Sequence, residues 1–438
     1  MPDLTAPKKN KINLADYPYK RDVENRLLMA DFSAFDIELL REIVDGPLSI
    51  SLTNLVDALE VDETQIVNSL KKLERSGLLK KSFDCIIVDK DTRKYYETQL
   101  IKFDPDFQPG IEYIKSLLKK VPIEHIPVWY ALPRTSDDIF QAIIEKYLLT
   151  PRIFKRHIAE LTQELPIVKS IINDLEMAEK HQLPSCYFHE KYSYKKEEFE
   201  ELMLFLEFNF ICCINYVSLQ DRWIEVVTPF AEWKEHLSFS KKIKNKKESS
   251  FEKEISPFGF IKKLQQTLVS IKNKPTLIDE LESTLLKRLQ ELQLVELQDL
   301  QVTPLERANS FLSLRDDQQA HCLYRLPLHI HDYASSFCQE KHLRELEKQM
   351  AMFAKHGWIS FHTFLEGCTA GIGTQSELML KKTGKQWCYM RPCYLKEEED
   401  FIKKIIFEKF FEAGLVDTTY FQDKEYFCVT PFGHKLLT

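Results

Sequence analysis

The tripeptide Val-Thr-Pro closes three apolar runs of this chain, at residues 227–229, 302–304 and 429–431. Valine favours a pleated, half-buried strand. Threonine can accept a hydrogen bond from an exposed amide at the start of a helix. Proline has no amide hydrogen for a sheet ladder, but it fits the first turn of a helix. Each copy therefore predicts the end of a strand followed by a new helix.

The same order of predicted elements, a helix and then a two-stranded hairpin, comes before each tripeptide. The helices are predicted at 197–209, 277–292 and 396–413, and the hairpins at 210–227, 295–302 and 415–429. Three unrelated hairpin-to-helix turns would be the alternative. The repeated order of elements favours one small module used several times.

A further module, without the tripeptide, is predicted near the N-terminus. Apolar residues at helical spacing predict three helices, at 33–44, 51–59 and 62–76. Gly77 then supplies the left-handed stop that often ends a helix. Strands are predicted at 78–79 and 86–88, with a turn at 89–93 and a returning strand at 94–98. In this prediction Arg93 and Lys94 lie at the tip of the hairpin.

Two stretches of the chain resemble winged helix-turn-helix proteins. The sequence LEVDETQIVNSLKKLERSGLLKK, at 59–81, resembles their second and third helices, with the third helix in the recognition position. The sequence GLVDTTYFQDKEYFCVTPFGHKLL, at 414–437, resembles a wing and its exit helix. The last hundred residues also resemble the bacterial helicase-associated region of XPB-type helicases, through hydrophobic spacing, Trp387 and the Thr-Pro-x-Gly exit. That resemblance implies a nucleic-acid context.

These patterns predict a mostly α fold with small β-hairpins, of the α+β class, built as an array of about four winged-helix modules. The predicted boundaries are an N-terminal arm at 1–30, winged helices at 31–120, 121–238, 256–326 and 327–438, and a basic linker at 239–255.

Composition favours packed domains and a reducing compartment. Apolar residues make up 44% of the 438-residue chain and aromatic residues 12%, which is typical of globular domains and not of disordered chains. The 10 cysteines show no C-x-x-C spacing, and the first residues are polar and lysine-rich. We therefore expect a cytoplasmic protein with reduced thiols and no membrane segment.

A net charge of −7 means that any nucleic-acid surface must be a local basic face. The third helix of the first module offers Thr64, Gln65 and Asn68 for base edges, and Lys71, Lys72 and Arg75 for phosphates. Further basic candidates follow at Lys80, Lys81, Arg93 and Lys94. The alternative is an ordinary exposed helix face, and the neighbouring Asp62 and Glu63 weaken the nucleic-acid interpretation.

The corresponding helices of the other three modules begin with acidic residues. These are Glu197, Glu198, Glu200 and Glu201, then Asp279, Glu280 and Glu282, then Glu397, Glu398, Glu399 and Asp400. Acidic side chains at a helix start stabilise the helix dipole by about 0.3–1 kcal/mol each, but they repel a phosphate backbone. We expect these modules not to grip DNA directly.

A lysine run lies inside the predicted linker, at Lys241, Lys242, Lys244, Lys246 and Lys247. It contains few apolar residues, so it is interpreted first as a solvated linker. A phosphate-binding strip is the alternative.

The residue types that bind zinc gather in one stretch, at His321, Cys322, His329, His331, Cys338 and His342. Their spacing matches no familiar zinc finger, and the segment is interpreted as a connection between modules. No phosphate-binding loop, nucleophile triad or paired carboxylates stand out, so neither an enzyme nor a cofactor is predicted. A metal-dependent enzyme is the alternative.

The sequence therefore predicts a non-enzymatic tandem winged-helix protein. Its predicted role is that of an interaction scaffold or accessory factor in transcription or DNA processing, with a protein partner. A DNA-binding regulator that uses the first module is the alternative. No small-molecule substrate is evident in the sequence.

Overall fold

The structure is a computed structural model that describes residues 11–82, 85–133, 137–219, 222–245, 254–274, 276–298, 300–328, 340–354, 357–384 and 386–437. From residue 240 to 245 only the backbone is described. The fold is mostly helical with small antiparallel sheets, as the sequence predicts for an α+β protein. No helix in these ranges is both long and apolar enough to cross a bilayer.

The chain divides into two compact units. The first contains the chain up to Ser238 together with Leu380–Tyr389, and the second contains Phe239–Met379 and the chain from Met390 onward. Each unit contains two sets of elements with one shared order: a helix, a short strand, a helix or helical turn, a third helix and a hairpin. Within each set the short strand pairs with the last strand of the hairpin, so that the last strand is central.

The first set follows helix α1, Tyr19–Ala30. It consists of α2 Ala34–Asp45, β1 Ser49–Ser51, α3 Leu52–Leu59, α4 Glu63–Arg75, β2 Leu79–Ser82 and β3 Cys85–Val88. Ser33 and Asp36 form a capping box at the start of α2, and Ser51 caps α3. Asp62 occupies the N-cap position of α4, but its side chain makes no cap hydrogen bond.

The prediction of a turn at 89–93 and a returning strand at 94–98 is wrong. The hairpin is formed by β2 and β3 alone, and the chain continues as helix α5, Lys90–Leu100. The reason is local: Asp89, expected in a turn, accepts a hydrogen bond from the Thr92 amide at 2.8 Å and thereby caps a helix. Arg93 and Lys94 therefore lie on a helix and not at the tip of the hairpin.

After α5, four further helices are described between the first set and the second. They are α6 Ile111–Leu118, α7 Ile126–Trp129, α8 Ile139–Tyr147 and α9 Pro151–Glu164. The second set is α10 Pro166–Met177, β4 Leu183–Pro184, α11 Ser185–Tyr192, α12 Lys196–Phe208, β5 Cys212–Leu219 and β6 Arg222–Pro229. Helix α13, Ala231–Asn245, follows the first Val-Thr-Pro. This helix covers the start of the predicted linker.

The third and fourth sets form the second unit. The third is α14 Gly259–Asn273, β7 Thr276–Leu277, a short 3-10 turn, α15 Ser283–Glu291, β8 Val295–Gln298 and β9 Gln301–Pro304, followed by α16 Arg307–Leu312 and α17 Asp316–Tyr324. The fourth begins with α18 Glu340–Phe353, β10 Ile359–Ser360 and α19 Phe361–Gly367.

An insertion separates the second and third helices of the fourth set. It carries the hairpin β11 Met379–Thr383 and β12 Gln386–Met390. The set resumes with α20 Lys396–Lys404, which continues as a π-helix to Phe410, and then β13 Val416–Phe421, β14 Lys424–Val429 and α21 Pro431–Leu437. All three Val-Thr-Pro copies end a strand, and a helix begins within a few residues of each, as predicted.

Each pair of sets encloses a continuous apolar core. Leu70 of α4 and Met203 of α12 belong to one buried cluster in the first unit. Leu289 of α15 and Phe427 of β14 belong to one buried cluster in the second. A third cluster, around Trp129, joins helices α6–α9 to Leu380 of the inserted hairpin. Packing of the sets in pairs decides which of their helix faces reach the surface.

Candidate nucleic-acid interface

The third helices of the four sets differ in how much of their surface is exposed. Beyond its first turn, α12 has no exposed residue, because it packs against α1, α6 and β5. Helix α15 is tied to the fourth set through Arg288, whose Nε donates to Glu412 Oε2 at 2.6 Å. Helix α20 and its π-helical extension bury five apolar residues, including Phe401 and Ile405. Among the described third helices, α4 presents the most exposed residues.

The exposed face of α4 carries polar residues near its start and basic residues near its end. Thr64, Asn68, Lys71 and Arg75 recur at intervals of four, three and four residues, and all are exposed. Residues at this spacing share one face of a helix. Gln65 lies beside Thr64 and is also exposed. The structure therefore brings five of the predicted site residues together on one stripe, which we call the α4 stripe.

Lys72 is bound to another residue of the same set. Its Nζ donates to Oδ2 of Asp36 at 2.7 Å, and Asp36 is almost completely buried. Burial alone would raise the pKa of Asp36. Hydrogen bonds from Lys72, Ser69 and Ser33 outweigh that effect and lower the pKa. Lys72 thus joins α4 to α2, which gives it a structural role that its sequence position did not suggest.

The other predicted basic residues lie on two further elements. Lys80 and Lys81 are exposed on β2, opposite Ile87 and Ile86 of β3. On α5, Arg93 donates from Nη1 to the carbonyl oxygen of Gly46 at 2.9 Å and holds the turn after α2. Lys94 is exposed on α5. The turn between β2 and β3, at 83–84, lies outside the described residues.

The charge on α4 changes sign along the helix. Its start is acidic, because Asp57, Glu60 and Asp62 line a shallow depression there together with Gln65. Its last turn carries Lys72 and Arg75, the sign that stabilises the negative end of a helix dipole. A polyanion would therefore be attracted to the end of α4 and repelled near its start.

Sequence reasoning missed two basic residues that lie close to the end of α4. Lys20 and Arg21, in the first turn of α1, line an open groove of about 950 Å³ together with Arg75. No helical pattern in the sequence could link residue 21 to residue 75, because the contact depends on how α1 packs against the first set.

Two of the predicted surface acids are buried. Glu200 lies inside the first unit, with Oε2 3.7 Å from Nη1 of Arg26. Glu398 accepts hydrogen bonds from the Leu395 amide at 2.8 Å and from the Thr374 amide at 3.0 Å. These two carboxylates are therefore not at the surface to repel a phosphate backbone, which differs from the role that the sequence suggests for them. Glu197 and Glu397 are exposed, as are Asp279 and Glu282.

Two further predicted features fall partly outside the described residues. His321 and Cys322 lie on α17 and His342 is buried on α18, but His329, His331 and Cys338 are not described. No group of three potential metal ligands is found where the structure is described. Of the lysine run, Lys241, Lys242 and Lys244 belong to the helical backbone of α13, while Lys246 and Lys247 lie outside the described residues.

Comparison of the chain with protein-family models, curated protein sequences and solved structures found no match.

Proposed function

We propose that the four sets are winged-helix modules and that the protein binds double-stranded DNA through the first of them. The α4 stripe carries this proposal. It combines hydrogen-bonding side chains with two exposed cations on one helix face, whereas α12 and α15 are engaged in packing within their own units. In this proposal the other three modules support the first and do not read DNA.

The residues of the stripe divide by chemistry. Thr64, Gln65 and Asn68 carry the hydroxyl and amide groups that pair with base edges in the major groove. Lys71 and Arg75 carry the charges that position a helix on phosphates. Lys80 and Lys81, on the adjacent strand, would add backbone contacts. Lys72 is left out of this set because its ammonium is already bound to Asp36.

The acidic start of α4 limits how strongly the module would bind. Asp57, Glu60 and Asp62 lie close to the residues proposed for base contacts. Salt screens the repulsion between these carboxylates and DNA over about 10 Å at 0.1 M. It also weakens the attraction that each phosphate contact contributes. We therefore expect moderate affinity with a shallow dependence on salt, set by a few phosphate contacts.

Fluorescence anisotropy with a labelled duplex, at 50 and 200 mM salt, tests the proposal. The wild-type chain should bind, and Lys71→Ala/Arg75→Ala should weaken binding and lower the slope of log affinity against log salt by about 2. Asn68→Ala should weaken binding to preferred sequences more than to random duplexes, because it removes a base contact and not a charge.

A matched control removes two exposed lysines from elsewhere in the first unit. Lys169→Ala/Lys180→Ala makes the same change in net charge in the second set, on α10 and just after it. If the control weakened DNA binding as much as Lys71→Ala/Arg75→Ala does, the effect would come from net charge and not from the α4 stripe. Failure of the wild-type chain to bind at 50 mM salt would rule out the proposed function.

A second candidate function, a protein-interaction scaffold or accessory factor, is favoured by apolar side chains on the third set. Leu277, Leu297 and Leu300 are 47%, 43% and 73% exposed around its small sheet. Leu277 pairs with Gln301 and Leu297 with Val302, which are successive residues of β9, so the two leucines lie on opposite faces of the sheet. Exposed apolar surface is one mark of a protein contact. A stoichiometric partner that the wild-type chain retains and Leu297→Ser/Leu300→Ser loses would support this role. The helicase-associated resemblance remains a prediction compatible with either function.

A further inference from the structure

A groove of about 950 Å³ lies between α1 and the end of α4 in the first unit. One wall is the first turns of α1, with Tyr19, Lys20 and Arg21. The other is the corner where α4 turns into β2, with Arg75 and Gly77. Two separate helices therefore direct basic residues to one groove, and Arg75 belongs both to this groove and to the α4 stripe.

The position of Arg21 is fixed by a hydrogen bond to α5. Its Nη2 donates to Thr92 Oγ1 at 2.8 Å, which leaves other N–H groups of the guanidinium available. Gly77 forms the corner with a left-handed φ of +72°, and a methyl group added there would be in ordinary van der Waals contact with Arg21 Nη2, at 3.5 Å. The backbone at this corner is thus both left-handed and close to a held cation.

Acidic residues also line the groove, at Glu24 and Asp31. Their positions give the groove a direction. Asp31 follows Arg21 by ten residues, which is about 15 Å along a helix at 1.5 Å per residue. The basic end of the groove is therefore the end that adjoins Arg75 and Gly77, while the far end is acidic. Glu24, one turn from Lys20, partly offsets its charge.

We propose that Lys20 and Arg21 form a second phosphate-binding row, so that the backbone of a bound duplex continues from Lys71 and Arg75 across the corner onto α1. This inference rests on the proposed function. It extends the DNA contact beyond the winged-helix module to a helix that precedes it. The two rows would bind successive phosphates of one DNA backbone. Thr92 holds Arg21 in position for this contact, and Arg75 belongs to both rows.

The test compares four double variants with the wild-type chain by fluorescence anisotropy, with one labelled duplex across 50–200 mM salt. Each phosphate contact contributes about 0.9 to the salt slope, so Lys20→Ala/Arg21→Ala should lower the slope by about 2. The factor by which this variant loses affinity between 50 and 200 mM salt should therefore be about ten times smaller than the factor for the wild-type chain. Lys20→Arg/Arg21→Lys keeps both charges and should restore most of the slope.

The control Lys169→Ala/Lys180→Ala should leave the slope close to that of the wild-type chain. If the wild-type chain and Lys71→Ala/Arg75→Ala behave as proposed while Lys20→Ala/Arg21→Ala keeps the full slope, the second row is overturned and the function stands. If the wild-type chain does not bind the duplex, both proposals are overturned.

Discussion

Arg26 of α1 donates hydrogen bonds from both Nη atoms to the two carboxylate oxygens of Glu207 on α12, and both side chains are almost completely buried. Glu207 is further approached by Lys102 at 3.6 Å. Burial alone would raise the pKa of Glu207, but the charges of Arg26 and Lys102 lower it. This buried pair fixes α12 against α1, which is why α12 cannot serve as an exposed recognition helix.

Removing one partner should therefore destabilise the first unit strongly. Arg26→Met leaves the carboxylate of Glu207 buried with Lys102 as its remaining cation, and loss of one partner of a buried pair costs about 3–5 kcal/mol. Urea unfolding followed by circular dichroism measures the change. Arg156→Met, which removes an exposed arginine 4.0 Å from Glu160, is the control and should change stability by less than about 1 kcal/mol. An Arg26→Met variant as stable as the wild-type chain would contradict this assignment.

Adjacent lysines on α4 should differ in their effect on stability. Lys72→Met removes a partner of the buried Asp36 and should lower the free energy of unfolding by about 1 kcal/mol, a value reduced because Lys72 is 44% exposed. Lys71→Met changes an exposed residue and should be close to neutral. Thermal unfolding of the two variants provides the comparison, and equal melting temperatures would contradict a structural role for Lys72.

The pH dependence of that difference follows from the lowered pKa of Asp36. A carboxyl group with a lowered pKa in the folded state contributes stability above its unfolded pKa, and this contribution is lost as the pH falls through the folded value. The difference in the free energy of unfolding between Lys72→Met and the wild-type chain should therefore shrink below about pH 4, where an aspartate ordinarily takes up a proton. A difference that stayed constant down to pH 2 would count against the ion pair.

Local patterns predicted the elements well, and tertiary packing explains the failures. Val-Thr-Pro predicted three strand ends because valine, threonine and proline act within a few residues of each other. Asp89 was misassigned because the same side chain suits a turn and a helix cap. The exposure of Glu200, Glu398 and Lys72 depends on residues far away in the sequence. No local spacing encodes those contacts, so the residues of the α4 stripe could be singled out from the sequence, whereas the ion pair of Lys72 with Asp36 could not.

Glu232, in the first turn of α13, should make the stability of the first unit depend on pH near neutrality. Burial raises its pKa from the ordinary 4.5 to about 7, although the Ile111 amide donates to Oε1 at 3.0 Å. A raised carboxyl pKa favours the protonated, folded form. The stability that protonated Glu232 contributes to the folded state is therefore complete below about pH 4.5 and is lost as the pH rises through 7.

Glu232→Gln should remove that dependence, because glutamine keeps an acceptor for Ile111 and has no charge to bury. The variant should match the wild-type chain at pH 4 and exceed it at pH 8, by up to about 3 kcal/mol for a shift of this size. Chemical unfolding at both pH values measures the two free energies. Glu235→Gln, on the same helix, is the control and should follow the wild-type chain at both values.

The inserted hairpin should depend on Trp387 for its attachment within the first unit. Trp387 donates from Nε1 to Glu112 Oε1 at 3.0 Å, Lys382 donates to the same oxygen at 2.6 Å, and the Leu380 amide donates to the carbonyl of Leu149 at 2.7 Å.

Trp387→Ala removes both the hydrogen bond and a half-buried ring, a loss of about 2 kcal/mol, below the 3–5 kcal/mol of a fully buried tryptophan. Hydrogen exchange of the Leu380 amide should then accelerate about thirtyfold, since 1.4 kcal/mol corresponds to a factor of ten in the opening equilibrium. Lys381→Ala changes an exposed side chain of the same strand and should leave that exchange rate unchanged. Slow exchange in both variants would mean that the apolar contacts of Leu380 hold the hairpin without Trp387.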